Sequence, residues 1–287
     1  LRRTIVPLTE LVHYFNKRRR LARPGAGGEG FEIVDGRVRL RFAGRVLGTL
    51  FQPVVGQGEA GVIGHEAHLQ VVAGDAGGVP AQAVFLEARD DDELVHLDRS
   101  VRTLHALNFL LEREQRGGFL SLNVHPQLIR SVSDHHGHVF EGVLARCGLT
   151  PDRIVLELAD DGFGDPARLA VAIAEYRERG YRIAIDNFGR HSADLERLER
   201  LAPDVVKLDR CLIGHFGHLS LAKRVMTELA AEARRLGLQL AIQCIENPLQ
   251  LQVAREAGAD WLQGHLLGRP AVGCLPVVRP RRPRRAA

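Results

Sequence analysis

The chain has 287 residues, of which 45% are hydrophobic and 26% are charged, a composition typical of a soluble globular protein that can bury a sizeable core. The net charge of +4 is small, and two basic runs near the chain ends, NKRRRLAR and RPRRPRR, supply much of it. The rest of the chain is therefore near neutral or acidic, which is not typical of a nucleic-acid-binding protein.

The four cysteines are far apart, and no CxxC pair indicates a zinc site. A chain of this size needs no disulfide framework, so the cysteines favour the reducing cytoplasm. No apolar run approaches the roughly 20 residues of a membrane-spanning helix. We therefore expect a cytoplasmic protein. Because the chain opens on Leu rather than Met, membrane tethering through an upstream segment stays an open alternative.

The N-terminal part of the chain is predicted to form an extension of the main domain. A helix is expected from about Pro7 to Leu21, followed by the flexible Gly-rich linker ARPGAGGEG. The segment FEIVDGRVRL predicts a β-hairpin, because Asp35 and Gly36 separate two alternating runs. We predict three regions: the extension over residues 1–48, a barrel domain over residues 49–275 and a flexible basic tail over residues 276–287.

Short apolar runs alternate with amphipathic segments from about residue 50 onward. Strands are predicted at TLFQPVV, GVIGHEAHL, FLSLNV, RIVLELA, RIAIDNF, DVVKLD, LQLAIQC and DWLQGHLL. Helices are predicted over residues 98–115, 166–179, 221–236 and 248–257. Such alternation is typical of βα units around a parallel sheet, and there are enough units to close a barrel. The fold class is therefore α/β, either a (β/α)8 TIM-like barrel or a doubly wound open sheet.

Polar residues near the carboxyl ends of the predicted strands favour the barrel. They are Glu66, Asn123, Glu157, Asp186, Lys207 and Gln243. In a barrel these strand ends surround one mouth, where the active sites of such folds lie. The carboxylates and the Asn123 amide offer oxygen ligands only, which suit Mg²⁺, Mn²⁺ or Ca²⁺ and not zinc. Lys207 adds a positive charge for a phosphate oxygen, so the set indicates phosphoester chemistry.

Eight motifs, in order from Phe51 to Pro270, carry a resemblance to a known family. FQPVV, GHEAHLQ, LSLNVHPQ, LELADD, IDNFG, VVKLDR, AIQCIENPLQ and LQGHLLGRP are similar to motifs of the EAL-domain family. Members of this family are bacterial phosphodiesterases that linearise cyclic di-GMP on a (β/α)8-like barrel. The resemblance therefore implies a TIM-like barrel of the EAL type, with a nucleotide and metal site at its mouth.

The resemblance also implies roles for individual residues. The metal ligands would be Glu66, Asn123, Glu157, Asp186, Asn187 and Asp209, with Mg²⁺ or Mn²⁺ as the ion. The nucleotide contacts would be Gln52, His68, Gln70 and Gln263. Lys207 and Glu246 would belong to the catalytic set.

The sequence departs from the family at positions that matter for catalysis. Asn187 stands where the family has its second Asp, so a second cation is held less well. Gln243 replaces the Glu taken as the general base, a loss that typically costs about 10²–10⁴-fold in rate. Gln70 replaces an Arg of the phosphate site, and His68 replaces the Leu of the EAL motif. The loop GRHSADL replaces the family's GTGYSSL.

We therefore expect a degenerate, non-catalytic EAL domain that acts in cyclic di-GMP signalling as a nucleotide receptor or as a protein-interaction regulator. A weakly active, Mg²⁺-dependent phosphodiesterase is the alternative, and a passive module of a longer sensory chain is a third reading. The expected cofactor is Mg²⁺ or Mn²⁺ at a remnant site, or no cation at all. The expected partners are cyclic di-GMP, a protein partner and, since the family often pairs its barrels, a second copy of the chain.

Overall fold

The computed structural model describes residues 6–22, 28–57, 61–72, 80–112, 118–132, 137–159, 165–191, 193–214 and 219–277. Helix α1 spans Leu8–Ala22 and precedes a hairpin of strands β1, Gly30–Val34, and β2, Arg37–Phe42. Asp35 (φ 51°) and Gly36 (φ 72°) form the turn, in the left-handed conformation that two-residue hairpin loops require. The predicted N-terminal helix and hairpin are therefore confirmed.

In the described part of the chain, eight strands form a closed barrel. They are β3 (Arg45–Gly56), β4 (Val62–Val72), β5 (Phe119–Asn123), β6 (Ile154–Ala159), β7 (Arg182–Phe188), β8 (Val205–Leu208), β9 (Gln239–Ile242) and β10 (Trp261–Leu262). Neighbouring strands from β4 to β10 are parallel, and β3 closes the barrel by pairing antiparallel with both β4 and β10.

The barrel prediction is confirmed, but the expectation of a purely parallel sheet is wrong at β3. The connection between β3 and β4 runs only from Gly56 to Val62. A parallel crossover needs a dozen or more residues, so a connection this short joins antiparallel strands. Strand β3 also runs without a break across the predicted boundary between residues 48 and 49, which places the hairpin and the barrel in one sheet.

Helices pack on the outside of the barrel. They are α2 (Asp91–Leu111), α3 (Pro126–Ser131), α4 (His138–Cys147), α5 (Pro166–Glu178), α6 (Leu195–Leu201), α7 (Arg210–Gly214), α8 (Leu219–Arg235) and α9 (Pro248–Ala257). Helix α2 begins before the predicted residue 98, because the side chain of Asp90 accepts a hydrogen bond from the backbone N–H of Glu93 at 2.7 Å and caps the helix. Among the helices of these ranges, none has the length and apolar character required to span a bilayer.

The apolar core has two parts. The larger part lies between the barrel and the helices and includes outward-facing strand residues such as Leu156 and Ile183. The smaller part fills the inside of the barrel at the end where the parallel strands begin, and consists of Val54, Phe119, Val155, Ala184, Val205, Ala241 and Trp261. The rings of Phe119 and Trp261 stack with their centroids 4.5 Å apart. This plug closes one end of the barrel, so ligands reach the interior from the opposite end, the mouth.

A C-terminal strap, residues 271–277, pairs with β3 and contacts β4. Ala271 exchanges two backbone hydrogen bonds with Phe51, at 2.6 and 3.0 Å. The backbone N–H of Leu275 donates to Nε2 of the fully buried His65 at 3.0 Å. The strap thus continues the packed structure past the predicted domain end at residue 275. Residues 278–287 of the predicted basic tail lie outside the described residues.

Candidate functional site

The inward-facing side chains change from apolar to polar within two positions along each strand. Above the plug, Phe119 is followed by Ser121, Val155 by Glu157, Ala184 by Asp186, Val205 by Lys207, Ala241 by Gln243 and Trp261 by Gln263. Residues two apart on a strand share a face, so these polar side chains form one layer inside the barrel. Strand β3 runs the opposite way, and its Gln52 therefore precedes Val54 in the chain.

The centre of this layer is a buried lysine held by two glutamates. Nζ of Lys207 donates to Oε2 of Glu157 at 2.6 Å and to Oε2 of Glu66 at 2.9 Å. The other oxygen of Glu66 accepts from Asn123 Nδ2 at 3.1 Å, and the other oxygen of Glu157 accepts from the Ser121 hydroxyl. The side chain of Lys207 is only 4% exposed, so its charge is used inside the protein and does not face the mouth.

The pKa values of these groups follow from burial and from their mutual charges. Burial raises the pKa of Glu66, but Lys207, His68 and the hydrogen bonds from Lys207 and Gln263 outweigh it and hold this pKa well below its usual range. Burial and the charge of Glu66 raise the pKa of Glu157 to about 8, against the effect of Lys207. Burial lowers the pKa of Lys207, yet both glutamates raise it more, so the ammonium group keeps its proton. The charge of Lys207 therefore compensates that of Glu66 inside the barrel.

Asp186 and Gln243 form a second pair. Nε2 of Gln243 donates to Oδ1 of Asp186 at 2.6 Å. A carboxylate at position 243 would bring two negatively charged oxygens together, whereas the amide makes a favourable hydrogen bond with no cation between the two groups. The next residue, Asn187, has φ 59° and lies at a shift in the register of β7 against β8. Asn is one of the few non-glycine residues that tolerate this conformation.

Asp209 lies where β8 ends and interacts with a loop arginine. Its carboxylate accepts from Arg190 Nε and from the backbone N–H of Cys211, at 2.9 and 2.8 Å. Burial acts to raise the pKa of Asp209, but these hydrogen bonds and the charge of Arg190 lower it overall. Asp209 is thus an ionised, buried carboxylate whose counter-charge comes from the protein itself.

The rim near β3 is a network of amides and one imidazole. Gln263 Nε2 donates to Glu66 Oε2 at 2.9 Å and to Gln52 Oε1 at 3.4 Å. The His68 ring lies with Nε2 3.1 Å from Gln52 Oε1 and Nδ1 3.6 Å from Glu66 Oε1. Gln52 in turn donates to the carbonyl oxygen of Gly268 at 3.2 Å. These side chains link the outer rim of the mouth to Glu66.

Two predicted site residues lie apart from these groups. Gln70 is half-buried opposite Gly48 on the arm of β3 and β4, further along β4 than Glu66. Glu246 is exposed before α9, and its backbone N–H donates to Gln250. Among the described residues, neither side chain forms a hydrogen bond or an ion pair with another predicted site residue. Their predicted roles, like those of the other predicted site residues, stay predictions.

Sequence reasoning did not single out two contributors to the site. Ser121 donates to Glu157, and its position two residues before Asn123 on β5 was a usable signal, because both face the same side. Arg190 pairs with Asp209, and its signal was the replaced loop GRHSADL. Sequence spacing alone does not show that this loop folds back over the end of β8.

The donor atoms suit a hard cation in kind, since carboxylate and amide oxygens are the ligands that Mg²⁺ and Mn²⁺ prefer. The arrangement of these donor atoms, however, does not fit a bound cation. Within the described ranges, no group of three His, Cys, Asp or Glu side chains is placed to hold a metal ion. The ammonium group of Lys207 lies between Glu66 and Glu157, and Gln243 uses an oxygen of Asp186. A cation would have to displace these donors.

The fold and the site define a class: a (β/α)8-type barrel with an oxygen-rich polar layer at the carboxyl ends of its strands. Residues 37–270 match the EAL domain family. The chain belongs to the EAL domain family.

Similar proteins share this domain. YkuI of Bacillus subtilis, an EAL-domain containing protein, is 33% identical over 140 residues, which are 47% of this chain and 34% of YkuI. PdeA of Escherichia coli, a probable cyclic di-GMP phosphodiesterase, is 26% identical over 160 residues, covering 55% of this chain and 21% of PdeA. The chain thus matches about a third or less of the length of these curated relatives.

Solved structures agree with the fold. The crystal structure of YkuI with the substrate cyclic di-GMP and calcium superposes with a TM-score of 0.68 at 27% identity, covering 80% of this chain and 57% of that one. The cyclic di-GMP complex of the PaMucR phosphodiesterase also gives a TM-score of 0.68, at 23% identity, covering 93% and 98% of the two chains. At this lower identity the PaMucR comparison shows the fold alone.

Proposed function

We propose that this EAL domain binds cyclic di-GMP without hydrolysing it and so acts as a receptor in cyclic di-GMP signalling. The observation that carries the proposal is the hydrogen bond from Gln243 Nε2 to Asp186 Oδ1 at 2.6 Å. The group at the position of the family's general base is a donor engaged with a carboxylate. It cannot accept a proton from an attacking water.

The charges at the mouth support the same proposal. Asn187 and Gln243 carry amides where the family has carboxylates, so the mouth lacks two negative charges that would attract cations. Lys207 is committed to Glu66 and Glu157, which reduces the oxygens open to a first cation. Hydrolysis of a phosphodiester by a cation pair needs both cations to clamp the attacking and leaving oxygens. The residues present favour a mouth that is stable without cations.

The retained rim residues support ligand binding. Gln52, His68 and Gln263 form a connected network on the side of the mouth near β3, with amide groups that can hydrogen-bond a guanine base. YkuI, the relative that is 33% identical over the matched segment, has been crystallised with cyclic di-GMP. A weakly active phosphodiesterase is the alternative outcome of the test below.

The test has a binding arm and a turnover arm. Isothermal titration with cyclic di-GMP, in EDTA and again in Mg²⁺ or Mn²⁺, is expected to show binding in both, and no binding in either would contradict the receptor role. In steady-state assays the unmodified protein is expected to release no linear product. The double reversion Asn187→Asp and Gln243→Glu is expected to raise turnover more than either single change, because the base and the second cation act on one water. Turnover of the unmodified protein at about one per second or faster would contradict the proposal.

A further inference from the structure

Arg190 lies at the mouth with one edge fixed and much of its side chain exposed. Its Nε donates to Asp209 Oδ2 at 2.9 Å. The Asp209 side chain is 4% exposed, whereas that of Arg190 is 41% exposed. Asp209 follows Lys207 by two residues and so continues the inward-facing row of β8 toward the mouth. The buried carboxylate therefore holds the guanidinium group at the open end of the polar layer.

The backbone of the loop also fixes this position. Asn187 and Gly189 have φ values of 59° and 87°, and the backbone N–H of Arg190 donates to the carbonyl oxygen of Asn187 at 3.2 Å. A Cβ added to Gly189 would lie 2.5 Å from Cδ1 of Leu212, so the loop packs closely against α7. A tight turn that packs against α7 fixes the position of the Arg190 backbone.

The surroundings of Arg190 suit an anionic ligand. The nearby amides of Asn187 and Gln243 are neutral, and the carboxylate of Asp186 accepts a hydrogen bond from Gln243. Lys207 is buried between its two glutamates. Arg210, the residue after Asp209, is exposed and adds a second cation on the same edge. A guanidinium group presents several N–H donors in one plane and matches two phosphate oxygens at once.

We propose that Arg190, positioned by Asp209, binds a phosphate group of a cyclic dinucleotide through the exposed part of its guanidinium group. The inference rests on the proposed receptor function and names the residue that makes it independent of metal. Asp209 is a positioning residue in this arrangement, because it fixes the guanidinium group and does not itself contact the ligand.

The test is a titration of the whole chain with cyclic di-GMP in EDTA at several salt concentrations. We expect Arg190→Gln to weaken binding by about 10- to 100-fold, the loss typical of a charged hydrogen-bonding partner. The affinity that remains should depend less on salt, since one charge contact is gone. The affinity of Arg190→Lys for cyclic di-GMP should lie between those of Arg190→Gln and the unmodified protein. Arg235→Gln, which removes an exposed arginine paired with Glu232 on α8, is the matched control and should bind like the unmodified protein.

Variants of Asp209 separate an effect on binding from an effect on folding. Arg190→Gln leaves Asp209 buried without its counter-charge, so the double variant Arg190→Gln, Asp209→Asn restores charge balance and should fold normally while still binding weakly. Asp209→Asn alone should weaken binding yet keep the salt dependence, because the arginine charge remains. Binding of Arg190→Gln within about twofold of the unmodified protein would overturn the inference and leave the receptor function standing. A strict requirement for Mg²⁺ would also overturn it, and no binding by the unmodified protein under any condition would overturn both proposals.

Discussion

At the scale of single residues, the stability of the polar layer depends on which charges are paired inside the barrel. Lys207 is 4% exposed; it compensates the charge of Glu66 and donates a hydrogen bond to Glu157. Removing one partner of a buried ion pair leaves an uncompensated charge, which typically costs about 3–5 kcal/mol. We therefore expect Lys207→Ala to lower the free energy of unfolding by about this amount in urea titrations.

A second lysine provides the control for this experiment. Lys223 pairs with Glu256 on the surface, with side chains 49% and 41% exposed. Exposed pairs contribute about 0–1 kcal/mol, so Lys223→Ala should have a small effect. Equal losses for the two variants would show that Lys207 does not stabilise the buried glutamates.

The pair of Gln243 and Asp186 gives a second prediction. Gln243→Glu replaces the amide donor with a carboxylate at a contact of 2.6 Å. Without a cation the two negative groups repel, and we expect the free energy of unfolding in EDTA to fall by about 1–3 kcal/mol. Added Mg²⁺ or Mn²⁺ should recover this loss in the variant and change the unmodified protein little. A variant as stable as the unmodified protein in EDTA would contradict the role given to this hydrogen bond.

At the scale of elements, the segment after β10 depends on one glycine. A Cβ on Gly264 would lie 2.1 Å from the carbonyl oxygen and 2.2 Å from the nitrogen of Ile245, and these backbone atoms cannot move aside as a side chain could. We expect Gly264→Ala to cost about 3 kcal/mol or more and to shift the neighbouring Gln263. Gly142→Ala, in α4 with nothing within 4 Å, should instead be neutral or stabilising by about 0.5–1 kcal/mol in thermal melts.

The strap predicts a dependence of stability on pH. Burial lowers the pKa of His65 from 6.5 to about 4, against the charge of Glu112, and Nε2 accepts from Leu275 only while the ring is neutral. Between pH 6.5 and 4 the unfolded chain takes up a proton that the folded chain does not, so stability falls as the pH is lowered through this window. His65→Gln should show a shallower fall in urea midpoints over the same range. His13→Gln, at an exposed position of α1, is the control; an unchanged profile in His65→Gln would contradict the strap contact.

The elements also show what the sequence could and could not predict. Alternating strands and helices predicted the barrel, and the polar residues at strand ends predicted its polar layer, because both depend on the period-two pattern of a strand. The antiparallel direction of β3 depends on the short connection to β4, and the early start of α2 depends on the cap at Asp90. The pairing of Arg190 with Asp209 depends on how a loop folds in space, and no local pattern encodes that contact.

At the scale of the whole molecule, the barrel combines a packed interior with an open polar mouth. The plug around Phe119 and Trp261 seals one end, and above it Lys207 pairs with Glu66 while Gln243 hydrogen-bonds Asp186. We propose that a molecule built in this way holds an anionic nucleotide at the mouth without the cations and the base that would cleave it. Under the proposed receptor function, signal output would depend on occupancy of the site and not on turnover.

The most direct test of this account is a single-turnover experiment. The protein is incubated in excess over cyclic di-GMP with Mg²⁺ or Mn²⁺, and the nucleotide is then separated from the protein and analysed by chromatography. We expect the nucleotide to stay bound during the incubation and to be recovered in its intact cyclic form, while the variant with Asn187→Asp and Gln243→Glu yields some linear product. Recovery of linear product from the unmodified protein within seconds, a rate of about one per second, would contradict the account.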